Sequence, residues 1–345
     1  MNLEFYKGKT VLITGHTGFK GSWLSKILIG LGAKVIGYAL EPNTNPNLYT
    51  LSEIEKEMTS IIGDIRDYEK LNNVFKKYKP EIVFHLAAQP LVLEGYKEPR
   101  YTYETNVMGT INVLDCIKNS ESVKTFVNIT TDKVYQNLET GKPFKENDIL
   151  NGYDPYSNSK SCSELVTECY YKSFLQEKGI TTITMRAGNV IGGGDFAENR
   201  IVPDCVRAAQ AKEPIILKNP NAVRPFQHVL EPLFAYLMVG TKKYDHLEHF
   251  NVGPQKKNHV TTETLAQLFC KEWKGTTYKI QGLKNQPHEA GLLLLNCNKI
   301  RKELNWKPMW NINTTIKKIC EFYLADNIPK EMEKEINDYI KKCNK

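Results

Sequence analysis

The chain has 345 residues, of which 41% are hydrophobic, and a formal net charge of +7. This length and apolar content allow a sizeable core and predict two or three domain-sized units. No apolar run reaches the roughly 18 residues of a transmembrane helix, and Met1 to Lys9 lack the basic start and apolar stretch of a signal peptide. We therefore expect a cytoplasmic protein without a membrane partner.

The eight cysteines are scattered, with no CxxC pair and no histidine cluster at ligand spacing, so neither a metal site nor a disulfide framework is predicted. Much of the excess positive charge lies in Lys317-Lys318 and Lys341-Lys342, which we interpret as solvated helix faces. A nucleic-acid surface would need a basic stripe interleaved with aromatic residues, and none occurs. The mildly basic balance suits an anionic small substrate.

The first elements form one βαβ unit. Thr10 to Thr14 read as a buried strand, a glycine-rich turn follows, Gly21 to Leu31 read as a helix, and Lys34 to Leu40 as a second strand. The alternation continues with strands predicted at 60–63, 82–86, 125–130 and 181–186 and helices at 68–78, 101–118 and 157–178. This pattern predicts an α/β fold with a Rossmann-type, doubly wound parallel sheet.

The pattern changes after Gly192, where Gly, Pro and Asn become frequent. We therefore assign residues 1–190 to a dinucleotide-binding domain, with a return segment at about 226–252. Residues 191–225 and 253–345 are assigned to a smaller, mixed C-terminal domain that binds the substrate.

The turn after the first strand carries glycines at Gly15, Gly18 and Gly21. In this context the first glycine allows a sharp turn, the second lets the backbone approach a pyrophosphate, and the third brings the helix close to the sheet. Amides at the helix start would bind the phosphates. The end of the second strand lacks an arginine for a 2′-phosphate, and its carboxylate is missing at Ala39 or displaced to Glu41, so we favour NAD over NADP.

Two further groups carry chemistry. Tyr156 and Lys160 lie four residues apart at the start of a predicted helix and share one face. A nearby ammonium favours the phenolate, which could remove a proton from a hydroxyl group. Thr131, Asp132 and Lys133 follow a buried strand, at the edge of the sheet where ligands gather. We expect them to lie beside Tyr156.

These motifs resemble those of the sugar-nucleotide 4,6-dehydratases, which are extended short-chain dehydrogenases/reductases. The motifs are Gly15-x-x-Gly18-x-x-Gly21, His85-Leu86-Ala87-Ala88, Asn106, Thr131-Asp132 and Tyr156-x-x-x-Lys160. The resemblance runs from about Phe5 to Pro254. It implies cofactor contacts from the three glycines and from His16, Phe19, Lys20, Asp64, Ile65, Ala87, Ala88, Asn106, Tyr156 and Lys160.

The resemblance also implies a closed redox cycle on a hexose. Tyr156 acts as base while the 4-hydroxyl is oxidised, and Thr131 shares its hydrogen bond. Asp132 is the acid that helps water leave carbon 6. Lys133 is the base at carbon 5, similar to the branch that acts on CDP-glucose, and a lysine acts so only when it is neutral. The product would be a 4-keto-6-deoxy sugar nucleotide for a surface polysaccharide.

Several alternatives stay open at this point. Leu93-Glu94-Gly95 departs from the pattern of the CDP-glucose branch, so GDP-, dTDP- and UDP-sugars remain alternatives, as do an epimerase, a reductase, a 4-oxidase and a non-catalytic cofactor-binding protein. The resemblance implies a homodimer or homotetramer. The candidate substrate contacts are Gln89, Asn189, Arg200 and Arg224, the arginines because their planar forks match phosphate oxygens.

Overall fold

The computed structural model describes residues 2–281 and 293–344. The strands in these residues are β1 (Thr10–Thr14), β2 (Lys34–Ala39), β3 (Thr59–Ile62), β4 (Ile82–His85), β5 (Thr125–Thr131), β6 (Thr181–Ala187), β7 (Val190–Ile191), β8 (Ile215–Leu217), β9 (Val223–Pro225), β10 (Gln227–His228), β11 (Glu248–Val252), β12 (His259–Thr261) and β13 (Tyr278–Ile280). The α-helices are α1 (Phe19–Gly30), α2 (Leu48–Leu51), α3 (Tyr68–Tyr78), α4 (Val92–Lys97), α5 (Pro99–Tyr103), α6 (Gly109–Lys118), α7 (Pro155–Tyr170), α8 (Ile201–Ala211), α9 (Leu230–Gly240), α10 (Thr262–Glu272), α11 (Asn298–Leu304), α12 (Ile312–Tyr323) and α13 (Ile328–Cys343).

Within the described residues, seven strands form one parallel sheet in the order β3-β2-β1-β4-β5-β6-β11. The strand order reverses between β1 and β4, and ligands of such sheets bind outside the carboxyl ends of the strands at this point. The predicted Rossmann-type α/β fold is confirmed.

The sheet is buried on both faces. Along β1, Val11 and Ile13 pack into one hydrophobic cluster and Leu12 packs into a second one, because successive side chains of a strand point to opposite sides. The first cluster lies under α1, α9 and α13, and the second lies under α3 and α6. Near-continuous apolar strands are typical of such doubly covered sheets.

The two long helices differ from their predicted bounds. The stretch predicted at 101–118 is α5, a π-helical turn at Glu104–Met108 and then α6. The stretch predicted at 157–178 begins at Pro155, because the Asp154 side chain accepts a hydrogen bond from the Ser157 amide at 3.0 Å and caps the helix. It ends in a second π-helical turn, Tyr171–Leu175.

A smaller group of elements packs around a third hydrophobic cluster, which includes residues of α8, α10 and α12. The pairs β8–β13 and β9–β12 lie in the same part of the chain. The segment 226–252 contains α9, whose apolar residues join the first cluster, and β11, which pairs with β6. The division into two domains stays a prediction. Among the described residues, no helix is long and apolar enough to cross a bilayer.

The last helix is held to the core by a buried carboxylate, Glu231 of α9. Its side-chain oxygens accept hydrogen bonds from the Trp310 amide at 2.7 Å and from the Tyr339 hydroxyl at 2.5 Å. The Met309 amide donates to the same carboxylate at 3.0 Å. Glu231 is 1% exposed, and burial raises the pKa of its carboxyl group to about 7.

This buried carboxyl makes the protein less stable as pH rises. Between the ordinary pKa of 4.5 and about 7, the folded protein holds a proton that the unfolded chain has released, so the free energy of unfolding falls across this window. We expect Glu231→Gln to flatten the change in melting temperature between about pH 5 and 8. Glu272→Gln, on an exposed side chain, is the control. An unchanged slope in Glu231→Gln would contradict the assignment.

Candidate functional site

The glycine turn joins β1 to α1 at the point where the strand order reverses. Gly15 has a φ of +80°, and a Cβ there would lie 2.7 Å from the Ala87 nitrogen. A Cβ on Gly21 would lie 2.0 Å from the Gly15 carbonyl oxygen. The turn therefore tolerates no side chain at either position, and Gly18 caps α1 with no side-chain hydrogen bond. This cradle fits the pyrophosphate of a dinucleotide.

The predicted cofactor residues His16, Phe19 and Lys20 have different neighbours. His16 is buried, its Nε2 lies 2.7 Å from the Ser60 hydroxyl, and burial lowers its pKa to about 4. A Cβ on Gly192 would lie 3.0 Å from the Phe19 ring, so Phe19 packs against that loop. Burial, together with the nearby Arg200, lowers the pKa of Lys20 to about 8, although Asp132 acts in the opposite direction.

A chain of buried hydrogen bonds supports the strand end that carries Ala87 and Ala88. The Thr14 hydroxyl lies 2.7 Å from Nδ1 of His85, and its oxygen accepts from the Ala87 amide at 3.2 Å. His85 Nε2 lies 3.1 Å from the Thr110 hydroxyl. Burial lowers the pKa of His85 to about 3, so its ring is neutral.

Gln89 and Asn106 are hydrogen-bonded to each other. The backbone amide of Gln89 donates to Oδ1 of Asn106 at 2.8 Å, and Nδ2 of Asn106 donates to the Ser159 hydroxyl of α7 at 2.9 Å. Both ends of the Gln89 side chain are also used inside the protein, by Thr102 at 2.8 Å and by the Leu91 amide at 2.6 Å. Their predicted roles in ligand binding stay predictions, and their observed contacts join the β4 edge to α7.

Asp64 and Ile65 follow β3. The Asp64 carboxylate accepts hydrogen bonds from the Arg66 guanidinium at 2.7 and 3.1 Å, and this pairing lowers the pKa of Asp64. Ile65 is buried, and a Cβ on Gly109 would lie 2.6 Å from its side chain. Their predicted place around the adenine stays a prediction.

The predicted acid and base lie at the end of β5. Asp132 begins a 3₁₀ turn and is fully buried. Its Oδ1 accepts a hydrogen bond from the Thr131 hydroxyl at 3.0 Å and lies 3.4 Å from the Lys133 ammonium. Its Oδ2 has no hydrogen-bond partner among the described residues. A buried carboxylate oxygen without a partner fits a group that meets a substrate.

Gly188 lies directly beside Asp132, a contact that the sequence did not reveal. A Cβ at this position would lie 1.8 Å from Oδ2 of Asp132, so the absence of a side chain makes room for the acid. The register pairs Thr131 of β5 with Ala187 of β6, which places the next residue of each strand side by side. The available signal was a glycine directly after a buried strand that neighbours β5.

Tyr156 and Lys160 lie on the first turns of α7. Burial raises the pKa of the Tyr156 phenol, whereas Lys133 and a hydrogen bond with Thr131 lower it. The Lys160 ammonium donates to the Ile129 carbonyl at 3.2 Å. Burial lowers the pKa of Lys160 to about 7, with Lys20 acting in the same direction. The phenol therefore depends on surrounding cations to lose its proton near neutral pH.

The structure brings Arg200 to this group but gives Asn189 and Arg224 different surroundings. Arg200 acts electrostatically on Tyr156 and Lys20 and forms an ion pair with Asp195 at 3.0 Å. Asn189 has a φ of +46°, and its carbonyl accepts from the Gln227 amide at 3.1 Å. Arg224 lies in β9 and donates to the Val223 carbonyl. The described part of the chain contains no cluster of His, Cys, Asp and Glu that could hold a metal.

The glycine cradle, the Tyr–Lys pair and the parallel sheet together define a protein of the short-chain dehydrogenase/reductase class. Residues 12–319 match the family model described as GDP-mannose 4,6 dehydratase. The CDP-glucose 4,6-dehydratase of Salmonella typhimurium is 43% identical over 350 residues, which cover 98% of each chain. The chain belongs to the nucleotide-sugar 4,6-dehydratase family.

More distant relatives share the fold. The dTDP-glucose 4,6-dehydratase of Haemophilus influenzae is 27% identical, covering 92% of this chain and 98% of the relative. The dTDP-glucose 4,6-dehydratase of Bacillus anthracis, solved in complex with NAD, superposes with a TM-score of 0.74 at 24% identity over 92% of this chain and 96% of that chain. The Thermus thermophilus UDP-glucose 4-epimerase, also with NAD, has a TM-score of 0.81 at 22% identity over 92% and 99% of the chains.

We expect Gly21→Ala to weaken NAD binding by at least about 10-fold, because the added methyl group must displace the Gly15 carbonyl and open the turn. Gly30→Ala is the matched control, since a Cβ at the end of the same helix meets nothing within 4 Å. Titration with NAD followed by calorimetry measures both. Equal affinity in the two variants would contradict the role of the turn.

Proposed function

We propose that the protein converts CDP-glucose into CDP-4-keto-6-deoxyglucose with NAD as cofactor. The observation that carries this proposal is the cluster of Thr131, Asp132 and Lys133 at the carboxyl end of β5, where all three act on the Tyr156 phenol of α7. The name of the relative with 43% identity supports the choice of substrate. Gly15, Gly18 and Gly21 would hold NAD, which would supply a hydride acceptor for the oxidation and a hydride donor for the final reduction.

The side chains divide the work of the reaction. The Tyr156 phenolate removes the proton of the 4-hydroxyl, and the Lys160 ammonium and the Thr131 hydroxyl stabilise that phenolate. The resulting 4-keto group acidifies the proton on carbon 5, which the neutral amine form of Lys133 removes. Asp132 donates a proton to the hydroxyl that leaves carbon 6 as water. An acid and a base beyond Tyr156 are superfluous for epimerisation, so their presence favours dehydration.

The positive charges around Tyr156 suit a nucleotide diphosphate. Arg200 acts electrostatically on Tyr156 and on Lys20, and the Arg200 side chain is 35% exposed, so its fork can reach phosphate oxygens. We propose Arg200, Asn189, Arg224 and Gln89 as substrate contacts. The glycine turn, His16, Phe19, Lys20, Asp64, Ile65, Ala87, Ala88 and Asn106 are proposed to surround NAD.

We also propose that the enzyme is cytoplasmic, forms a homodimer or homotetramer, and supplies a deoxysugar for a surface polysaccharide. Met108 in the π-helical turn after α5, Leu165 in α7 and Phe174 in the π-helical turn after α7 are 50, 50 and 43% exposed. Apolar side chains at such exposure support a contact between copies of the chain. Light scattering coupled to size exclusion measures the number of copies.

The substrate assignment is tested by incubating the enzyme and NAD with CDP-, dTDP-, GDP- and UDP-glucose and with GDP-mannose. We expect CDP-glucose to lose the mass of one water at a kcat/KM at least about 100-fold above the others, because contacts with the base distinguish nucleotides that share the same diphosphate. Loss of water from another nucleotide sugar in preference would reassign the substrate. Reduced cofactor accumulating without loss of water would indicate an oxidase.

The acid is tested through the glycine beside it. We expect Gly188→Ala to displace the Asp132 carboxylate and to lower the rate of dehydration by about 100-fold, since displacements of about 1 Å in a catalytic group have this effect. Binding of NAD should stay unchanged, because Gly188 lies outside the glycine turn. The measurement is turnover with CDP-glucose beside NAD titration, with Gly30→Ala as control. Wild-type turnover in Gly188→Ala would refute the role of Asp132.

A further inference from the structure

Glu164 shares the face of α7 that carries the catalytic pair. Tyr156, Lys160 and Glu164 are spaced four residues apart, so each lies one helical turn beyond the last. The Glu164 side chain is 0% exposed. Burying a carboxylate costs free energy unless it is paired and hydrogen-bonded. The partners of Glu164 therefore indicate its role.

The partners of Glu164 come from the two strands that carry the catalytic edge. The Arg186 guanidinium of β6 donates to both carboxylate oxygens, with Nε and Nη2 each at 2.9 Å. The hydroxyl groups of Thr130 and Thr184 donate at 2.5 and 2.6 Å. Although burial acts against it, Arg186 holds the pKa of Glu164 well below its ordinary value, helped by the neighbouring His249. The bidentate contact with Arg186 therefore favours the anionic form of Glu164.

Arg186 reaches further, toward the turn that carries the acid and the base. Its Nη1 donates to the Tyr135 hydroxyl at 2.8 Å and to the Glu146 carbonyl at 2.6 Å. Tyr135 follows the 3₁₀ turn Asp132–Val134 directly and donates to the Asn251 side chain at 2.7 Å. One guanidinium thus connects the helix of Tyr156 to the turn of Asp132.

Lys160 needs an anion nearby. Burial and the neighbouring Lys20 both favour its neutral form, and Glu164 is the group that opposes them. The hydrogen bond to the Ile129 carbonyl holds the ammonium in place but supplies no full charge. A neutral Lys160 would no longer stabilise the Tyr156 phenolate.

We propose that Glu164 is a positioning residue for the oxidation of the sugar: it keeps Lys160 protonated beneath Tyr156 and, through Arg186, holds the Asp132 turn against the same helix. This inference rests on the proposed function for the substrate used. Because the partners of Glu164 are residues of the protein itself, the inference applies to whichever nucleotide sugar the enzyme oxidises.

The test is the pH dependence of hydride transfer in a single turnover, followed by nicotinamide absorbance with the full-length holoenzyme and CDP-glucose. In Glu164→Gln we expect the acid limb of the rate–pH profile to move up by about one pH unit, because Tyr156 loses its proton at higher pH when Lys160 is neutral. The rate should therefore fall by about 10-fold near neutral pH and recover at higher pH. Glu164→Asp keeps the charge and should keep the wild-type midpoint. Glu168→Gln, one turn further along α7 on an exposed ion pair, is the matched control.

Glu164→Gln leaves Arg186 as a buried cation without its anion, which can prevent folding. The double variant Glu164→Gln/Arg186→Met removes both charges and should show the same displaced acid limb, because Lys160 has again lost its anion. A fall in rate by one factor at every pH, with the wild-type midpoint in either variant, would overturn the proposal. Absence of any sugar oxidation by the wild-type enzyme would instead refute the proposed function.

Discussion

The parallel pairing of β5 with β6 is the constraint on which the site depends. It places Thr131 opposite Ala187, the last residues of the two strands. The residues that follow them, Asp132 and Gly188, therefore lie side by side. The carboxylate of one occupies the volume that a side chain on the other would need. A shift of register by one residue would exchange the faces of every side chain on the strand, and the hydroxyl, acid and ammonium would no longer meet.

Each buried charge of the site has a neighbour of opposite charge. Burial works against both the Tyr156 phenolate and the Lys160 ammonium, and opposite charges nearby favour each charged form. Glu164 supplies the anion below Lys160, while Lys133 favours the phenolate above it. Because low-dielectric surroundings strengthen such interactions, a small number of well-placed side chains can set the protonation of the whole group.

Local patterns predicted much of the fold and part of the site. The strand at Thr10–Thr14 and the helix at Tyr68–Tyr78 agree with their predicted bounds, because apolar runs and capping residues act within a few positions. The sequence also placed Thr131, Asp132 and Tyr156 together, since strand ends of a parallel sheet share an edge. The partners of Arg186 and the space at Gly188 depend on register between strands that are distant in the chain, and no local pattern encodes that register.

Both ends of the described chain contribute to one core. The Tyr6 hydroxyl donates to the Leu237 carbonyl at 2.8 Å, and Tyr339 stacks on Phe234 with ring centroids 4.6 Å apart. The cluster beneath β1 therefore stays incomplete until α13 has left the ribosome. Long separations between contacting residues slow folding and leave apolar surface uncovered during synthesis. The nascent chain therefore exposes apolar surface on one face of its sheet until α13 packs against that face.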